Sequence, residues 1–217
     1  MEEIHLFVMA HGLFGTPEDL LYFSTALARA GPPGSYILAP DDVNKEGAVG
    51  VQVELGGGQG GEETRAKEDE GRPIIVVLNS HANIDLTFDG VDFGAARLAE
   101  EVHAHAKALR IRPNARGQRR RLAKISLLGH SLGGLFARFA VGILQQDGFF
   151  DAVPEEHLPL DVDEETRALL ARPPQPGVFA TFATPHIGMP PESRSGRPWL
   201  AKLTAATMGR TGLQLVS

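Results

Sequence analysis

Cysteine is absent from the 217 residues. That removes a disulfide scaffold, thiolate zinc sites and a cysteine nucleophile together. Aromatic residues are scarce, at 6%. No apolar run approaches the ~20 residues of a membrane-spanning helix; Ile74 to Leu78 has the length of a short core strand. An excess of basic charge is also lacking. The 21 Lys and Arg are outnumbered by 27 Asp and Glu, a formal net charge of -6 that argues against a general nucleic-acid binder. The N-terminus, Met1-Glu2-Glu3-Ile4-His5, is acidic where a secretion signal would be basic, which leads to the expectation of a cytoplasmic protein. Any membrane contact is then expected to be peripheral.

Glycine and proline are plentiful instead, 25 and 15 residues, so long loops are expected. With 42% hydrophobic and 22% charged residues, the length suits one domain over 1–217 with a substantial core. Ile4 to Ala10 reads as a buried strand. Thr16 reads as an N-cap with Pro17 behind it, opening a helix to about Ala30. Tyr36 to Ala39 is a short apolar run, a second strand. From about Val43 to Arg72 the chain is glycine-rich and charged without periodicity, and reads as a disordered insertion. No Gly-Lys-Ser/Thr follows those glycines, so a phosphate loop is not supported.

Ile74 to Leu78 reads as a central third strand, and Asp92 to Arg110 as an amphipathic helix with Phe93, Leu98, Val102 and Leu109 among its apolar positions. Arg110 to Lys124 carries seven basic residues and no acidic one. It reads as a solvated helix end and loop, or as a contact for anionic lipid headgroups. A strand from Lys124 to Gly129 and a helix from Leu132 to Gln146 follow. Asp147 to Pro176 is an acidic, proline-containing excursion before a strand at Val178 to Thr184. Pro198 to Met208 reads as a last helix. Strands alternating with helices predict a parallel sheet with helices on both faces.

The chemistry centres on Gly129-His130-Ser131-Leu132-Gly133, a serine between glycines at a strand-to-helix turn. Such a segment forms a nucleophile elbow, in which backbone packs on backbone and leaves no room for Cβ atoms beside the serine. His11-Gly12-Leu13-Phe14-Gly15, at the end of the first strand, is the matching oxyanion segment. Acyl transfer needs preorganised N–H donors, assigned to Leu132 and Leu13, with Phe14 as the alternative to Leu13. Ser131 is thereby the expected nucleophile of a serine acyl hydrolase that needs no metal or other cofactor. Asp89 and Asp92 are two carboxylates in one loop, too few for a metal site.

The segments Val8–Gly15, Phe88–Gly94, Leu128–Leu135 and Phe182–Gly188, with a weaker match at Arg210–Leu215, occur in one order along nearly the whole chain. In these the sequence resembles the eukaryotic serine esterase/lipase-like family, whose fungal members include lipid-droplet phospholipases and monoacylglycerol lipases. The resemblance implies an α/β-hydrolase fold and hydrolysis of carboxylic esters in lipids such as glycerolipids or phospholipids. It also implies contact with a lipid droplet or membrane surface.

A serine hydroxyl needs a base, and the base needs an acid. After Ser131 only His157 and His186 remain. A compact triad of Ser131, Asp161 or Asp163, and His186 keeps the chain order, but its histidine follows the very next strand, earlier than this fold supplies it. The resemblance puts acid and histidine further downstream, so the sequence reads as a C-terminally truncated member lacking its last strands. Weak activity and an exposed hydrophobic edge at Val178 to Thr184 are then expected. The alternative reading is an inactive α/β-hydrolase-like module that binds lipid or a protein partner.

Overall fold

The computed structural model describes residues 1–38, 71–111, 117, 119–188 and 209–215. Strands β1 (Glu2–Ala10), β2 (Tyr36–Ile37), β3 (Ile74–Asn79), β4 (Arg120–His130) and β5 (Gln175–Phe182) form one sheet. Every pairing is parallel and the order is β2-β3-β1-β4-β5. The helices are α1 (Leu21–Ala30), α2 (Val91–Ile111), α3 (Leu132–Gln146), α4 (Glu164–Ala171) and α5 (Gly209–Leu215).

Alternation along β1 assigns the layers. Ile4, Leu6, Val8 and Ala10 enter a core with Leu98 and Val102 of α2 and Phe136 and Leu144 of α3. Met9 faces the opposite way, with Leu20, Ala28 of α1, Ile37 and Val77. A parallel sheet covered on both faces needs strands apolar on both sides, which explains the unbroken Ile-Ile-Val-Val-Leu of β3. This is an α/β-hydrolase-type fold. Among the described residues no helix is long and apolar enough to cross a membrane.

Local signals fixed most elements, with some shifts. The Thr16 N–H donates to the Asp19 carboxylate at 2.8 Å, but the chain first winds as a 3-10 turn, Pro17–Leu20, before α1 begins. β4 starts at Arg120 rather than Lys124, because its first residues pair with Glu2 and Glu3 of β1. The expected excursion is partly ordered: it holds a 3-10 turn at Glu155–His157, α4, and the first residues of β5. β5 accordingly begins at Gln175 and stops at Phe182. Phe93 does not join the core. It is 53% exposed, with the Arg210 guanidinium 4.9 Å from its ring centre. The expected insertion lies outside the described residues except at its last two, and the helix expected over Pro198–Met208 lies wholly outside them.

Two parts of the surface bear on function. Arg119, Arg120 and Arg121, the described heart of the basic segment, pair with Asp161, Glu2 and Glu3. These pairs stand where β1 and β4 begin, at the opposite end of the sheet from Ser131. β5 is an edge strand whose one partner among the described residues is β4, and Val178 and Phe179 are 55% and 47% exposed there.

One titratable group sits within the sheet. His5 Nε2 on β1 lies 2.7 Å from Ser126 Oγ on β4, and Ser126 Oγ accepts the Val178 N–H of β5 at 2.8 Å. The hydroxyl proton is then left for a neutral imidazole. Burial, and then the charge of neighbouring Lys124, lower the His5 pKa from 6.5 to about 4. Between those values the unfolded chain binds the proton and the folded chain does not, so stability falls as pH is lowered through that window. Urea unfolding at a series of pH values should record this loss, and His5→Gln should flatten part of it. Equal pH slopes for the two proteins would rule His5 out as a source.

Candidate active site

Backbone strain gathers at one end of the sheet. The described non-glycine residues with positive φ are Phe14, Asp85, Ser131 and Ala183, and they follow β1, β3, β4 and β5 respectively. All four therefore lie in loops at the C-terminal ends of strands, the end where open parallel sheets bind their ligands. Residues held in such regions cost about 1–3 kcal/mol each and cluster at functional sites.

Ser131 sits at φ 53 and ψ -127 between the last residue of β4 and the first of α3. Its N–H donates to the Phe182 carbonyl at 2.9 Å, tying the turn to the end of β5. The glycines around it fit contacts that no side chain would allow. A Cβ at Gly12 would stand 2.7 Å from Ser131 Cβ and 3.2 Å from its Oγ. One at Gly133 would overlap the carbonyl oxygens of Ala10 and His11, and one at Gly129 would overlap Gly134. At Gly134 it would meet the side chain of Thr184, just beyond β5. The serine turn, the end of β1 and the end of β5 are thus pressed together by four glycines.

The His-Gly segment lies against this turn. His11 is 2% exposed, with Nδ1 donating to the Gly12 carbonyl at 3.1 Å, while its Nε2 has no partner among the described residues. The Phe14 N–H points to Thr87 Oγ1 at 3.4 Å. Among the described residues the N–H groups of Leu13 and Leu132 have no acceptor. One of these amides belongs to the residue after Ser131, and the other to the residue after Gly12, which packs against the serine. An acyl carbonyl oxygen is the kind of group such amides bind.

The acid and base named from chain order are not brought to Ser131. Asp161 pairs with Arg119 at 2.7 Å. The residues of β4, at about 3.3 Å each, separate that end from Ser131 by roughly 35 Å. Asp163 caps α4: the Thr166 N–H and hydroxyl each donate to its carboxylate at 2.8 Å. The Thr166 amide first, and then its hydroxyl, hold the Asp163 carboxyl below the usual range. His186 lies at the right end of the sheet, but its Nε2 contacts Thr181 Oγ1 at 2.8 Å rather than the serine. His157 sits exposed in its 3-10 turn. Among the described residues no histidine hydrogen-bonds Ser131 Oγ. Asp89 and Asp92 are taken up by Arg97 and Arg210, at 2.9 and 2.6 Å.

Thr87 is a site neighbour that sequence reasoning missed. A lone threonine carries no motif; only its place just before the matching segment Phe88–Gly94 marked it.

A family model described as "Putative serine esterase" matches residues 60–217. No curated protein and no solved structure matches the chain.

The glycine contacts make a prediction with its own control on the same helix. Gly133→Ala forces a methyl into backbone carbonyls that have no rotamer to escape to, and should destabilise by about 3 kcal/mol. Gly142, exposed on α3 with no atom within 4 Å of its missing Cβ, should accept alanine with a gain of about 0.5–1 kcal/mol. Urea denaturation of both variants checks the pair; equal effects would show that the helix end tolerates a side chain.

Proposed function

The chain belongs to the serine esterase family that matches residues 60–217, and on that premise we propose that it hydrolyses carboxylic esters through Ser131. The observation that carries the reading is the strained backbone of Ser131 at a strand-to-helix turn, with Gly12 packed against its side chain. Strain at a serine has a use when the hydroxyl must stand clear of its own helix and face a substrate. Ser131 Oγ attacks the ester carbonyl carbon, and negative charge develops on the carbonyl oxygen. The Leu132 and Leu13 N–H groups receive that oxygen. Collapse expels the alcohol, and water then releases the acid from the acyl-serine. The hydroxyl is a weak nucleophile until a base takes its proton.

The proposed substrates are carboxylic esters of lipids. Support comes from apolar side chains on the loops at the Ser131 end: Phe14, Leu86 and Ile187 are 75%, 42% and 99% exposed. Acyl chains have the chemistry to cover such groups. The second reading, a lipid- or protein-binding module without catalysis, draws on the missing contact between any described histidine and Ser131 Oγ.

A fluorophosphonate probe separates the two, since it labels only an activated hydroxyl. Labelling of the wild type that vanishes in Ser131→Ala, together with loss of p-nitrophenyl ester hydrolysis, is the expected outcome. Labelling that survives in Ser131→Ala would remove Ser131 from the mechanism. No labelling of the wild type would favour the binding module.

A further inference from the structure

Two of the matching segments, Phe88–Gly94 and Arg210–Leu215, carry no chemistry in the reading above, yet the fold joins them. Thr211 of α5 is completely buried. Its hydroxyl accepts the Gly90 N–H at 2.9 Å and donates to the Thr87 carbonyl at 2.8 Å. Its own N–H donates to the Phe88 carbonyl at 3.2 Å. Gln214 Oε1 accepts the Val91 N–H at 2.7 Å. These bonds serve amides at the start of α2 that have no acceptor within the helix. The approach is close, for a Cβ on Gly209 would stand 2.8 Å from the Phe88 carbonyl oxygen.

The same loop is held from α2 by Arg97. That guanidinium donates to Asn83 Oδ1, the Leu86 carbonyl and the Asp89 carboxylate, at 3.0, 2.9 and 2.9 Å. Two helices thus fix one loop, and what the loop presents is Thr87 and Phe88. Thr87 Oγ1 accepts the Phe14 N–H at 3.4 Å, and the Phe88 ring meets Phe14 edge-on with centroids 4.9 Å apart. Phe14 holds φ 55 while 75% exposed, so burial does not hold it there. The Gly15 N–H, donating to the Gly12 carbonyl at 3.0 Å, closes a turn with Leu13 and Phe14 at its centre, and the contacts with Thr87 and Phe88 brace that turn from the neighbouring loop.

We infer that Thr87 is a positioning residue for the oxyanion segment, and that Thr211 holds Thr87 in place. Tying the Phe14 N–H to Thr87 fixes the peptide next to the Leu13 amide and leaves that amide as the donor facing the serine. α5 then contributes to the site without touching substrate. The inference rests on the esterase reading only for the purpose of the tether; the tether itself has a separate readout.

The experiment measures amide hydrogen exchange over residues 11–16 in wild type and in Thr87→Val, Thr211→Val, Thr87→Ser and Thr211→Ser. Thermal unfolding is followed alongside. Exchange should rise roughly tenfold in both valine variants and stay near wild type in the hydroxyl-retaining serine variants. A fluorophosphonate, whose phosphorus bonds Ser131 Oγ as fluoride leaves, places its phosphonyl oxygen where an oxyanion forms. Its second-order labelling rate should fall roughly tenfold in the same two variants, less than the ~10²–10³ lost with a whole donor.

Unchanged exchange in the valine variants overturns the tether, as does equal disturbance in the serine variants. Faster exchange with an unchanged labelling rate overturns the positioning role. Absent labelling of the wild type, or labelling that persists in Ser131→Ala, defeats the esterase reading, and the exchange result still decides the tether. If Thr211→Val does not fold, the Thr87 pair decides alone.

Discussion

The N-terminus of α3 lies directly on the carbonyl oxygens that end β1, and only the hydrogen of Gly133 fits between them. Everything at this end of the molecule follows from that approach. Because the helix starts so close to β1, Gly12 reaches the side chain of Ser131, and the amides of Leu13 and Leu132 belong to the residues that follow these two in the chain. Gly134 lets Thr184 press in from beyond β5. A methyl carbon at Gly12, Gly129, Gly133 or Gly134 would stand 2.7 Å or less from its nearest neighbour, so the elements would have to move apart to admit it.

Such an arrangement does not stay in place by its own strength. Phe14, Ser131 and Ala183 each sit at positive φ, near 53 to 55, and contacts from other elements hold the first two. Ser131 is tied to Phe182, and Phe14 to Thr87. The loop bearing Thr87 is in turn held by Arg97 on one side and Thr211 on the other. The core beneath, with Ile4, Leu6 and Leu98 fully buried, is rigid enough to make these contacts reproducible.

Much of this was legible along the chain. The order of strands and helices, the turn at Ser131 and the role of its glycines come from local pattern, since period, capping and Cβ-free contacts between neighbours are short-range properties. α3 was read to the residue, because Leu132–Gln146 is bounded by the serine turn at one end and a glycine shortly after the other. Errors fall where a distant partner decides. β4 gained four residues at its start because Glu2 and Glu3 were there to pair with, and β5 was set by the register of β4. Phe93 left the core for a ring contact with Arg210, 117 positions away in the numbering.

The sequence by itself determined the class of fold, the nucleophile candidate and the segment that faces it. Each is carried by a local pattern: the alternation of strands and helices, the glycine-flanked serine turn, and the His-Gly turn that ends β1. Only the tertiary structure decided that Asp161 and Asp163 stand at the far end of the sheet, that His186 turns to Thr181, and that Thr87 and Thr211 meet. Side-chain partners across a parallel sheet are set by strand order and register, and the local pattern of a strand or loop does not encode which distant segment will lie beside it.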